Sequence, residues 1–202
     1  DKGDAIPAEM LPSQLQFNGV QFQLGPAKTG ALNALIARGQ TLPLPAGKYS
    51  RVYVLAAAAD SDQKATFRVG GQNVDLSVQN WGGFIGQWDD RIWEATDTEI
   101  AGRGGAPART RHDPYGKMTG LRPGFVKDAA VAWFASHRHT ADGANVPYSY
   151  SYLFAYPIDL PAGAQSITLP NNDKIRILAI SAADEAAPLV AAQPLFDTLR
   201  YQ

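Results

Sequence analysis

ATFRVGGQNVDLSV, residues 65–78, decides the fold class. Gly70 and Gly71 suit a two-residue hairpin, because both central positions of a type I′ turn need positive φ and glycine takes it without strain. Counting outward pairs Phe67 with Val74 and Ala65 with Leu76, while Thr66 faces Asp75 and Arg68 faces Asn73. Apolar meets apolar and polar meets polar, so the turn and both period-2 patterns agree on one register. LQFNGVQFQLG, residues 15–25, repeats the logic. Its Asn18 and Gly19 form the turn, and Phe17 pairs with Val20, Gln16 with Gln21 and Leu15 with Phe22.

The rest of the chain follows this all-β lead. RVYVLAAAA, residues 51–59, is apolar without alternation, as in a strand covered on both faces. AAVAWFASHRH (129–139) and YSYSYLFAY (148–156) read as strands, and the period places Tyr148, Tyr150, Tyr152, Phe154 and Tyr156 on one face. LPAG occurs at 44–47 and again at 160–163, each copy leading into strand, which predicts two similar corners. NND at 171–173 reads as a turn between two strands. Residues 27–38 form either a short helix, with Leu32, Leu35 and Ile36 on one face, or an irregular crossing interrupted by Gly30. Residues 94–128, rich in Gly, Pro and Arg and without an apolar period, are expected to be one long irregular loop covering an edge or end. Short strands with frequent turns predict an antiparallel β-sandwich, jelly-roll-like, over residues 15–183. Residues 1–14 read as a lead-in or linker. Residues 184–202 read as a tail that Leu189, Val190, Leu195, Phe196 and Leu199 would dock, with a short helix after Pro194.

Composition narrows the function. The 202 residues carry 18 Lys and Arg against 19 Asp and Glu, a net charge of −1, so no basic field exists to hold nucleic acid. No apolar run is long enough for a membrane-spanning helix. There is no cysteine and hence no disulfide. The cysteine-free, Ala/Gly/Gln-rich composition is compatible with bacterial export, to an extracellular or periplasmic setting, and the start DKGDAIPAEMLPSQ reads as a linker or processed end.

The chemistry concentrates in VQNWGGFIGQWDDRIW, residues 78–93. Flat aromatic rings beside fixed polar groups suit a pyranose, which offers CH faces rimmed by hydroxyls. Trp81, Phe84 and Trp88 are the expected stacking residues, freed to turn outward by Gly82, Gly83 and Gly86. Gln87, Asp89 and Asp90 would bond the hydroxyls, and His137 and His139 would join them if their strand ends nearby. The alternative is that these aromatics close the end of the sandwich core. Asp89 and Asp90 are adjacent and do not face each other across a substrate as a glycosidase pair must. No GxSxG elbow is present, so no catalytic residue is assigned. His137 and His139, two apart on a strand, have the spacing of a metal-ligand pair, with His112 or Asp142 as candidates for a third ligand. Without a supporting motif no metal and no cofactor is expected, calcium at Asp60 and Asp62 being the second candidate.

GQTLPLPAGKYSRVYVLAAAA (39–59), DQKATFRVGGQNVDLSVQNWGGFIGQWDDR (62–91) and LPAGAQSITLPNNDKIRILAISAA (160–183) resemble a galactose-binding-like β-sandwich module of large bacterial glycoside hydrolases. The likeness is nearest to α-mannosidase-like proteins of glycoside hydrolase family 38. The resemblance implies a non-catalytic, carbohydrate-binding role beside a catalytic domain, or a structural role packing on that domain. No stretch matches the family's zinc-binding catalytic machinery, so a stand-alone hydrolase using Asp89, Asp90 or His137 is the least favoured reading.

Overall fold

The computed structural model describes residues 3–28, 30–87 and 90–184, and the side chains of all of these except Gln87, Asp90 and Phe125. Beyond one 3-10 turn at Ala8–Met10, the described elements are strands. In chain order they are β1 (Gln14–Phe17), β2 (Val20–Gln23), β3 (Leu35–Arg38), β4 (Thr41–Pro43), β5 (Arg51–Ala58), β6 (Gln63–Val69), β7 (Gln72–Val78) and β8 (Gly86–Gln87). There follow β9 (Asp90–Ile100), β10 (Arg109–Arg122), β11 (Phe125–Val126), β12 (Ala130–His139), β13 (Asn145–Asp159), β14 (Ser166–Thr168) and β15 (Asn171–Ala183). Two antiparallel sheets form the sandwich, one ordered β12-β13-β5-β15-β3 and the other β4-β14-β6-β7.

Both hairpins stand in the expected registers, Phe67 opposite Val74 and Phe17 opposite Val20. Their turn residues take the positive φ that sets the tight turn: Asn18 48°, Gly19 79°, Gly70 54° and Gly71 84°. In β6 the alternation is complete, with Ala65, Phe67 and Val69 buried and Lys64, Thr66 and Arg68 exposed. Strand β5 is buried along both faces because the five-stranded sheet is the middle of three layers. Cross-strand partners share a face. Phe154 opposite Ala56 and Tyr156 opposite Val54 therefore look toward the four-stranded sheet, where the Gln79 N–H donates to the Tyr156 hydroxyl at 2.7 Å. The other face carries Tyr53, Leu55, Leu153 and Trp133. The N-terminal segment and the β1–β2 hairpin cover it, and the Ser181 Oγ–H donates to the Gln21 carbonyl and the Trp133 Nε1–H to the Met10 carbonyl. The lead-in is thus seated on the sheet, with Ile6 and Leu11 packed against the core. The alanines at 56–58 let the layers approach closely.

The two LPAG copies are neighbouring corners at one end of the sandwich. One carries the chain from β4 to β5, the other from β13 to β14, and each changes sheet. The Leu44 N–H donates to the Gln165 carbonyl and the Leu160 N–H to the Ser50 carbonyl, both at 2.8 Å.

Two expectations change. Residues 94–128 are not an irregular loop, because β9 and β10 pair over Asp90 to Arg122 as a ribbon hydrogen-bonded to neither main sheet. Nearly all of it is exposed, so it needs no apolar period, and Pro114 falls where the register shifts between Asp113 and Lys117, sparing a ladder bond. Residues 171–173 are not a turn. They begin β15 at a bulge between Asn172 and Arg176, and the chain changes sheet at Leu169 and Pro170. Of the two readings of residues 27–38, the irregular crossing is the one present, followed by β3, with no helix among the described residues. The tyrosine strip keeps Tyr150, Tyr152 and Phe154 side by side but runs from surface to core. Tyr148 has φ 61° beside a bulge and is 83% exposed, whereas Tyr152, Phe154 and Tyr156 descend into the core. The expected docking of the tail falls outside the described residues.

Candidate functional site

After β7 the chain leaves the four-stranded sheet and fills a gap in the other. The Ala58 N–H donates to the Gln79 carbonyl at 2.8 Å, the Trp81 N–H to the Ala58 carbonyl at 2.9 Å and the Tyr152 N–H to the Trp81 carbonyl at 2.7 Å. Residues 79–82 therefore wedge between the end of β5 and the continuing β13, with Gly82 bridged to Ser151. The Asp62 carboxylate accepts the Asn80 N–H at 2.6 Å. Beneath lies Lys127, its side chain only 8% exposed, donating to the Asn80 carbonyl at 3.1 Å and standing 5.6 Å from the centre of the Phe154 ring. Burial pushes its ammonium below the usual lysine range, and Asp62 partly restores it.

This wedge turns the Trp81 ring inward to 9% exposure, where it walls a cavity of about 420 Å³. Asp4 and Ile6 of the N-terminal segment, a strap across the sheet, form one side, the end of β5 with Asp60 another, and Asp173, Lys174 and Arg176 of β15 the third. The Arg138 guanidinium lies 5.8 Å from the Trp81 ring centre, with Nε 3.4 Å from the Asp4 carboxylate. Asp60, at φ 66°, is ion-paired to Lys174. The hydrogen bond from Lys174 holds the Asp60 carboxyl below its usual range, and the same bond holds the Lys174 ammonium above its own. One aromatic residue, three acidic residues (Asp4, Asp60 and Asp173) and two basic ones (Lys174 and Arg176) thus line a space of ligand size.

A second cluster lies nearby. Glu9, on the 3-10 turn, places Oε1 3.0 Å from His137 Nε2 and 3.1 Å from His139 Nε2. The imidazole centres are 5.4 Å apart. A backbone hydrogen bond is the largest cause holding the Glu9 carboxyl below its usual range, and the hydrogen bond from His137 adds to it.

Of the residues singled out in the sequence, Trp81 lines the cavity and Phe84 points to solvent at 72% exposure. Trp88, Asp89 and the side chains of Gln87 and Asp90 lie outside the described residues. His137 and His139 face Glu9, not the cavity, while Arg138 between them reaches the Trp81 ring. Asp60 and Asp62, the calcium candidates, are turned to different lysines, Lys174 and Lys127. Asp4, Glu9, Lys174 and Arg176 were missed. None of these four carried a local signal, and Glu9 meets its histidines across 128 and 130 positions of chain.

A family model described as AziU2-like beta-sandwich domain matches residues 1–186. No curated protein matches the chain.

Proposed function

The chain belongs to the AziU2-like β-sandwich domain family, and we propose that it serves as a non-catalytic carbohydrate-binding module whose ligand occupies the Trp81-walled cavity. The observation that carries this reading is that Trp81 and the mixed-charge set Asp4, Asp60, Asp173, Lys174 and Arg176 line one cavity of about 420 Å³. An indole offers a CH-binding face, and carboxylates and cations offer the acceptors and donors that sugar hydroxyls need. Lys174, ion-paired to Asp60, offers a hydrogen-bond donor to a hydroxyl. The described lining residues include no serine, cysteine or histidine. The resemblance to accessory modules of bacterial glycoside hydrolases supports the same reading, with a catalytic domain as partner and an extracellular or periplasmic setting.

A glycan array on the chain, followed by calorimetry on any retained sugar, tests this. Lys174→Ala, at a half-exposed position, is expected to weaken binding about tenfold, near 1.4 kcal/mol, without loss of fold. An array with no retained glycan, or full affinity in Lys174→Ala, refutes the assignment. A structural domain that packs on a catalytic partner is the second reading. The ribbon favours it, since Trp93, Tyr115, Met118 and Leu121 are exposed there.

A further inference from the structure

We propose that Glu9, His137 and His139 form a divalent-cation site that takes zinc and fastens the N-terminal strap to the edge of the five-stranded sheet. The site stands apart from the cavity and does not depend on what the cavity binds. Two imidazole nitrogens and one carboxylate oxygen converge here, all within 4.8 Å of one another. That donor set is zinc's, with bonds of about 2.0–2.2 Å, whereas calcium takes a shell of oxygens. Neighbouring ligand atoms around a tetrahedral ion at about 2.1 Å stand about 3.4 Å apart. The observed separations of 3.0 and 3.1 Å between the carboxylate oxygen and the two imidazoles lie within about 0.4 Å of that spacing. Glu9 is free to make up the difference, because its side chain is 54% exposed, and the same open side admits the ion.

The carriers of the three ligands are fixed by bonds that do not involve their side chains. Ala5 and His139 exchange two backbone hydrogen bonds, at 2.9 and 3.0 Å, just before Glu9. The Met10 carbonyl accepts the Trp133 Nε1–H at 3.2 Å just after it. The His137 carbonyl accepts the Ser151 hydroxyl at 3.2 Å. Strap and strand are thus already in register, and the ion has little backbone to order. Three protein ligands leave at least one coordination position for water or a further ligand, as in open zinc sites.

The test is zinc titration of the tag-free, chelator-stripped chain against a chromophoric chelator, with cobalt(II) absorption as a coordination readout. One equivalent is expected to bind, with a visible cobalt spectrum of low coordination number and a rise in Tm on zinc addition. Glu9→Gln and His139→Gln are each expected to weaken zinc binding at least about tenfold, since even supporting residues of metal sites cost that much. His112→Gln, at the chain's third histidine, is expected to leave binding unchanged. Glu9→Gln keeps an oxygen that accepts both imidazole hydrogen bonds, so its metal-free Tm serves as the folding control. No stoichiometric uptake by the folded wild type, or full uptake in a His137→Gln/His139→Gln double variant, overturns the proposal and leaves the cluster a hydrogen-bonded clip only.

Discussion

Replacing Tyr156 by Phe tests how the Trp81 wedge is held. The substitution keeps the ring and removes one oxygen. That oxygen accepts the Gln79 backbone N–H at 2.7 Å, and Tyr156 and Gln79 are only 5% and 3% exposed. With the acceptor gone, a buried amide donor is left without a partner, which costs about 1–3 kcal/mol. The packing volume barely changes, so no sizeable cavity term adds to it. For a domain of this length the loss lowers Tm by about 2–4 °C per kcal/mol. Urea unfolding should show a lower midpoint with an unchanged slope, because the surface exposed on unfolding stays the same. Hydrogen exchange should quicken at residues 79–82, where Gln79 and Trp81 bond to both sides of Ala58. A stability loss under about 0.5 kcal/mol, below the range for an orphaned buried donor, would show that this hydrogen bond does not hold the wedge.

Two further outcomes follow from the geometry. A Cβ on Gly116 would stand 1.8 Å from Thr96 Oγ1, so Gly116→Ala should loosen the β9–β10 ribbon around Thr96 and leave the sandwich Tm nearly unchanged. Hydrogen exchange checks it, and unaltered protection at residues 96–98 and 112–117 would contradict it. Lys127 titrates below 10.5 when folded and near 10.5 when unfolded, so between those points the unfolded chain binds more protons and stability rises with pH. Lys127→Met should flatten that alkaline rise in urea titrations, and equal slopes in variant and wild type would count against burial as the cause.

The sequence by itself determined what short-range chemistry controls. Asn18 and Gly19, and Gly70 and Gly71, set two hairpin registers, because a turn and its flanking alternation lie within a few residues of each other. The unbroken apolar run at 51–59 announced a strand buried on both faces, and LPAG marked both sheet-changing corners. Tertiary structure decided the rest. The ribbon was illegible because a two-stranded element exposed on both faces carries no hydrophobic period, and its cross-strand pairs, such as Asp97 with His112, need no apolar residue. Trp81 faces inward because residues 79–82 are drawn between β5 and β13 by hydrogen bonds to Ala58 and Tyr152, which no local pattern encodes. The Glu9, His137 and His139 cluster was half visible. Alternation paired the histidines, but the carboxylate arrives on a strap far away in sequence, and only the packing of that strap on the sheet brings it within 3.1 Å.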